Sequence, residues 1–377
     1  MRTAIVSDLH LGGANGEDVL REPTVRRALL AEIGAADRVV LLGDAVELRD
    51  LPLGVALAAA RPFFEELGEA LSGREVILLA GNHDHRFAEP LLDQLSLRGA
   101  PRLGLEHRYD PSPGPTAEIA GWLGGAELRL AYPGIWLRDD VYATHGHYMD
   151  PHLSLPRAEC LAAAVTMRFS GPIPDPAEPA DYERVLRPIY GLGWGVAQAR
   201  PAGLVEQRGR PSEAAWRRLS GNEDSDGRRR RLTGRAVRAG FPLAIRGINR
   251  LLRSDFRSDV SAEAIFRSGV EAGGELARRL GVDGGHVITG HTHRGGPTDG
   301  EAEWRLPGGG RLHNTGNWIF ASVFHHPGRP PGPYWPGTVT WLEDDGPPRR
   351  VRLLAERSHD ELSQLVSRTR SGGQARS

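Results

Sequence analysis

Five short apolar runs in this chain each stop at a cluster of carboxylate, carboxamide or imidazole side chains. That repeated pairing constrains the fold more tightly than any other feature. The runs are Thr3-Ala4-Ile5-Val6, Arg38-Val39-Val40-Leu41-Leu42, Glu75-Val76-Ile77-Leu78-Leu79, Val141-Tyr142-Ala143-Thr144 and His286-Val287-Ile288-Thr289. They are too short and too rich in β-branched residues for core helices, so they read as buried strands. The clusters that follow are Asp8-Leu9-His10, Gly43-Asp44, Gly81-Asn82-His83-Asp84, His145-Gly146-His147 and Gly290-His291-Thr292-His293. An Asp and a His two apart after a strand also describe a turn cap with a surface imidazole. The conjunction of all five argues otherwise, because α/β sheets collect ligands beyond the carboxyl ends of their strands.

Between the second and third runs, Leu53, Ala56, Leu57, Phe63, Phe64, Leu67 and Leu71 fall near helical spacing, so helices are expected to cover the sheet. Toward the end, Trp318–Val323 and Thr338–Leu342 lie between Gly and Pro turns and predict consecutive antiparallel strands, with two stacked sheets as the core. The segment from Asp150 to Gly284 breaks the strand rhythm. It holds Pro172, Pro174, Pro176 and Pro179, a polar stretch from Ser220 to Arg231 that reads as a mobile loop, and helical spacing at Ile265, Phe266, Val270 and Leu276. The expected organisation is a core in two parts, residues 1–149 and 285–356, an inserted helical cap over 150–284, and a frayed polar tail over 357–377.

Carboxylates, a neutral amide and imidazoles form the ligand set that holds first-row divalent metals close together. In this order the motifs D-x-H, G-D, G-N-H-D, H and G-H-x-H resemble the calcineurin-like metallophosphoesterases. The resemblance covers about residues 3–147 and 286–342. It implies an α/β fold built as a four-layer αββα sandwich, two stacked mixed sheets flanked by helices, here with the helical cap inserted. It implies a dinuclear centre in which Asp8, His10 and His293 hold one metal and Asn82, His145 and His291 the other, with Asp44 bridging. A bridging hydroxide would attack phosphorus in line, and His83 would donate a proton to the leaving oxygen, its ring oriented by Asp84. Within the fourth cluster His145 is preferred over His147. Mn²⁺ is the expected metal, with Fe²⁺ and Zn²⁺ fitting the same donors. Glu47, His85, Asp150 and His152 are candidates to support the ligands, and Asn314 and Asn317 to bond near them; plain surface or capping roles fit each equally.

The function expected is hydrolysis of a phosphoester or pyrophosphate bond in a phosphorylated small molecule or lipid. Capped relatives such as the UDP-diacylglucosamine hydrolases usually carry Arg where His83 stands, so that substrate does not carry over. A metal-dependent nuclease and a silent scaffold of the same fold are the alternatives. The net charge of -1 supplies no global attraction for nucleic acid. All 47 basic residues are arginine, which a GC-rich coding bias explains. Ten of them fall between Ser225 and Arg257 against two aspartates, a local charge of +8. Phe241 and Phe256 are the only aromatics there, too few for the stacking that single strands favour.

Val237, Phe241, Ala244, Ile248 and Leu251 recur at helical steps within this basic segment, and Pro242 is expected to divide the helix near Phe241. Three readings stay open: peripheral membrane contact through residues 228–257, packing of the stripe with the arginines solvated, or an arginine clamp over the metals. The single cysteine, Cys160, excludes an internal disulfide. Met1-Arg2 leads straight into a strand, so no cleavable signal is expected, and no apolar run reaches the ~20 residues a spanning helix needs. A cytoplasmic protein is the expectation.

Overall fold

The computed structural model describes residues 1–98, 103–200, 228–322, 325, 327, 328 and 330–372. Its strands are β1 Thr3–Val6, β2 Arg38–Leu42, β3 Glu75–Leu79, β4 Glu106–Tyr109, β5 Glu127–Arg138, β6 Val141–Thr144, β7 His286–Thr289, β8 Trp304–Arg305, β9 Arg311–Asn314, β10 Thr338–Leu342 and β11 Arg349–Arg352. The α-helices are α1 Pro23–Ile33, α2 Leu53–Ala70, α3 Glu89–Leu97, α4 Pro115–Leu123, α5 Ala158–Ser170, α6 Pro179–Gln198, α7 Arg228–Leu252, α8 Ala262–Leu280 and α9 His359–Gly372. The five ligand-bearing runs form β1, β2, β3, β6 and β7 with the bounds their sequences predict.

The strands follow one hydrogen-bonded path, β11-β10-β1-β2-β3-β5-β6-β7-β9-β8, with β4 on β5. This is a mixed α/β fold around a large, curled mixed sheet. The curl centres on β5, which pairs parallel with β3 through its first residues and antiparallel with β6 through its last. Leu79 at the end of β3 is in register with Ala131, and Thr144 at the end of β6 with Gly134. The third and fourth clusters therefore leave the sheet beside neighbouring stretches of β5. β1, β2 and β3 are mutually parallel, as are β6, β7 and β9, so each half delivers its strand ends to the same place.

Side chains alternate between faces along each strand. Val39 and Leu41 join the layer covered by α1, α2 and α4, while Val40 and Leu42 point the other way. There they share one apolar cluster with Ile5, Ile77, Ile135, Val141, Ala143 and Ile288, drawn from both halves of the sheet. Each such burial contributes roughly 1.5–3 kcal/mol. Helices α5, α6, α7 and α8 gather around Tyr148, Tyr182, Val185, Leu186, Ile245 and Leu276. Helix α8 also contributes Ala277 to a cluster with Val287, Trp304 and Leu312, tying these helices to the sheet.

Four expectations need correction. The late strands do pair antiparallel with their sequence neighbours, β8 with β9 and β10 with β11, but the two pairs do not join: β10 lies on β1 and β9 on β7, at opposite ends of the path. Trp318–Ser322 is irregular rather than a strand, because its backbone is spent on other loops, Trp318 N–H donating to Asp8 O at 3.0 Å and Phe320 N–H to Glu17 O at 2.8 Å; Val323 lies outside the described residues. The tail is helical over α9, anchored by buried Leu362 and Val366, with residues 373–377 outside the described set. Helix α7 runs through Pro242 undivided and includes residues 228–231, which the sequence assigned to a mobile loop; residues 220–227 are outside the described set. Its packed stripe is Phe241, Ile245, Ile248 and Leu252, leaving Ala244 and Leu251 exposed. Arg246, Arg250, Arg253 and Arg257 are exposed. Among the described residues no helix is long and apolar enough to cross a membrane.

Candidate metal centre

The five clusters meet. Asp8 Oδ1 lies 3.1 Å from His293 Nε2 and 3.9 Å from His10 Nε2. Asp44 Oδ2 lies 3.7 Å from His10 Nε2 and 3.2 Å from His145 Nε2, between two groups of imidazoles. Asn82 Oδ1 is 3.2 Å from His145 Nε2 and 3.1 Å from His291 Nδ1. Every one of these residues except His293, which is partly open, is buried.

Backbone strain marks the same residues. Asp8, His10, Asp44, His291 and His293 have φ of 55°, 46°, 52°, 66° and 60°, and the only other non-glycine residue with positive φ among those described is Arg253. Such conformations cost roughly 1–3 kcal/mol each and persist only where the surroundings over-determine them. Here the surroundings are backbone hydrogen bonds between clusters: Asp8 N–H to Gly43 O, His10 N–H to Asp44 O, and Gly290 N–H to His145 O, at 2.9–3.1 Å.

The glycines that open three of the clusters have a steric reason. A Cβ on Gly43 would stand 2.5 Å from the His145 ring, one on Gly81 would strike the Asp44 carboxylate, and one on Gly290 the side chains of Ser7 and Asp8. Glycine is what allows ligands from different strands to close on one another.

Protons on the outer ring nitrogens are fixed by acceptors. His145 Nδ1 donates to Leu42 O at 2.9 Å, a carbonyl that can only accept. His10 Nδ1 donates to Glu47 Oε2 at 3.0 Å and His291 Nε2 to Asp150 Oδ1 at 2.8 Å. In the neutral rings the inner nitrogens are then lone pairs aimed at Asp8, Asp44, Asn82 and one another, His10 Nε2 standing 3.1 Å from His293 Nε2. Asp8 Oδ1 is buried and accepts no hydrogen bond. Acceptors that converge in this way call for positive charge between them, as protons or as metal ions.

The electrostatics state the same demand. Burial alone would raise the Asp8 carboxyl, yet the charges of His293 and His145 lower it to about 2. Burial opposes charging of His145, but Asp44 and Asp8 push it up to about 10. Without metal, protons on the imidazoles neutralise the carboxylates. The donor set and its buried, orphaned oxygen fit divalent cations in their place. Asn82 suits either state, because its amide satisfies its neighbours with NH₂ inward when protons are scarce, and with oxygen inward toward a cation.

His83 is 18% exposed through its side chain and donates from Nδ1 to Glu47, 2.7 Å away. Glu47 therefore bonds both His10 and His83, the supporting role the sequence offered for it beside a plain capping one. Asp84 does something else than orient His83. Fully buried, its carboxylate accepts backbone N–H groups of Gly81 (2.6 Å), Asp44 (3.1 Å), Ala45 (2.7 Å) and Val46 (3.3 Å), clamping the second cluster to the third. Burial, reinforced by the charge of Asp44, raises its pKa to about 6.

Asn314 holds Gly290 O and Thr292, and Asn317 holds His293 O, so both fasten the fifth cluster. His147 is buried one step outward, with Nε2 3.2 Å from the Tyr132 hydroxyl. His85 bonds Glu183 Oε2 at 3.1 Å and approaches Glu89 at 3.3 Å. His152 reaches only Tyr182. Sequence reasoning passed over Glu183, on α6, whose buried carboxylate also accepts from Tyr132 and Tyr148; no spacing rule points to it.

Strand-end loops that close carboxylates, imidazoles and an amide into one buried cage define a protein built to hold divalent cations. Residues 1–187 match the family model for calcineurin-like phosphoesterase, and the chain belongs to that superfamily. In general terms it is a metal-dependent phosphoesterase. The match ends before the fifth cluster, which the fold brings to the others. No curated protein and no solved structure matches the chain.

Proposed function

We propose that the protein hydrolyses a phosphoester or pyrophosphate bond with two divalent cations, one held by Asp8, His10 and His293, the other by Asn82, His145 and His291, and Asp44 shared. The observation that carries this reading is the set of outward protons pinned by Leu42 O, Glu47 and Asp150, which turns the inner ring nitrogens toward Asp8 and Asp44. Asp44 is suited to sharing: Oδ1 accepts the His83 N–H at 2.8 Å, and Oδ2 lies between His10 and His145. A bound pair of Mn²⁺ ions, or of Fe²⁺ or Zn²⁺, supplies an ionised water and neutralises phosphoryl charge.

The chain's own residues do the rest. With Nδ1 held by Glu47, the His83 ring presents Nε2 to a pocket of about 220 Å³ that it lines with Asn82 and Arg49. A protonated His83 there donates to the departing oxygen, the step that limits substrates with poor leaving groups. The substrate is a phosphorylated small molecule or lipid. The apolar cluster shared by both halves of the sheet supports stacking of those halves as the inner layers of a four-layer sandwich. Metal analysis and assay of a chromogenic phosphodiester with Mn²⁺ test the function. Two bound ions with turnover are expected; an inert protein that takes up no metal would rule the proposal out.

A further inference from the structure

The pocket beside His83 is lined by two residues whose side-chain donors no other described residue satisfies. Helix α6 presents Tyr190 and Trp194, one turn apart, to this cavity. Tyr190 is 2% exposed, and neither its hydroxyl nor Trp194 Nε1, both buried atoms, has a hydrogen-bond partner among the described residues. Leaving such groups unpaired costs ~1–3 kcal/mol each, so their retention points to a ligand rich in acceptors.

The same pocket is cationic. The Arg86 guanidinium stands over the Trp194 ring at 5.2 Å and has no carboxylate within ion-pair distance among the described residues. Arg49 lines it as well, its charge shared with Glu159 at 3.3 Å. Among the described residues lining the cavity the one carboxylate is Glu89, and it is taken by Arg187 and His85. Two guanidinium groups, a phenol and an indole N–H around a small cavity form an anion site, and arginine forks match tetrahedral oxyanions.

Resting on the phosphoesterase reading of the adjacent centre, we infer that this pocket binds a second phosphoryl group, making the substrate a diphosphate whose reacting phosphorus sits at the metal site and whose neighbouring phosphoryl sits among Arg49, Arg86, Tyr190 and Trp194. Asn82 and His83 line both sites, so the two phosphoryl groups are adjacent. Hydrolysis forms a P–O bond to the water oxygen and breaks the bridging P–O bond. The departing phosphoryl oxygen takes the His83 proton, and a proton from the water is released to solvent. A lone phosphomonoester would leave the pocket's donors unanswered.

Calorimetric titration of the full-length Mn²⁺-loaded protein with inorganic phosphate and with methylenediphosphonate, which cannot be hydrolysed, tests this. The diphosphonate should bind at least ~10-fold more tightly than phosphate, the return on one charge-assisted contact. Tyr190→Phe and Arg86→Ala remove groups that hold no hydrogen bond among the described residues, so the fold should persist. Each should weaken diphosphonate binding about 10-fold and phosphate binding less than about twofold. Diphosphonate affinity unchanged in both variants, with phosphate still bound, would overturn the second subsite and leave the phosphoesterase reading standing. Failure of the loaded wild-type protein to bind phosphate at all would sink both.

Discussion

The strand-end loops and helix α6 form two walls ordered by opposite means. On one side, strand-end loops hold Asp8, His10, Asp44, His291 and His293 in left-handed conformations that cross-cluster hydrogen bonds enforce. On the other, α6 offers Glu183, Tyr190 and Trp194 from ordinary helical backbone, with one side chain bonded and two waiting. The loop wall is fixed before anything binds, as a centre needing ångström precision requires. The helix wall is attached mainly through buried side chains, so its partners can change without disturbing the ligands. On the proposed reading, reactivity and selectivity lie in separate structural layers.

Substitutions on each wall should separate them. Asp44→Asn is expected to have the largest effect, abolishing turnover of a chromogenic diester and reducing bound metal from two ions to at most one; full turnover would remove the shared-ligand assignment. His83→Ala should keep both metals and lower kcat by ~10²–10⁴-fold, most for poor leaving groups. Glu47→Gln, which loosens His10 and His83 together, should weaken metal binding by about 10–100-fold in chelator competition. On the helix wall, Glu183→Ala leaves His85 without its buried partner and should cost about 3–5 kcal/mol in denaturant unfolding with metal content intact.

The smallest effect is a pH dependence of the ion pair that ties the third loop to α6. Burial disfavours charging of His85, but Glu183 and Glu89 outweigh it and raise its pKa to about 9. Because the folded value exceeds the ordinary ~6.5, the pair's stabilisation is whole below about pH 6.5 and is lost as pH rises through about 9. Glu183→Gln should flatten that alkaline decline in stability, and an unchanged slope would place its origin elsewhere.

The loop wall was also the more legible in sequence. Strands buried on both faces write themselves as unbroken apolar runs, and their ligand clusters are contiguous, so β1, β2, β3, β6 and β7 could be bounded to the residue. β5 was missed because Pro133 and Gly134 interrupt it where it passes between halves of the sheet, and β11 because Arg349, Arg350 and Arg352 mask its pattern. For α7, the stripes through Ala244 and Leu251 and through Ile245 and Leu252 share Phe241 and Ile248, and exposed arginines on either side do not decide between them. Asp84 was misassigned because adjacency to His83 suggested contact, whereas successive residues point apart. Glu47 and Glu183 are partners across space, a relation that spacing along the chain does not record.

Asp8 accepts the N–H of His291 from 283 residues away. At synthesis rates of roughly 5–20 residues per second, a ribosome takes on the order of a quarter to a full minute to make the intervening stretch. For that interval Asp8 lacks His293, the imidazole whose charge does most to keep it ionised, and the backbone N–H of His291. Closure of the centre is therefore among the last events the chain can complete, because no earlier segment supplies His291 and His293.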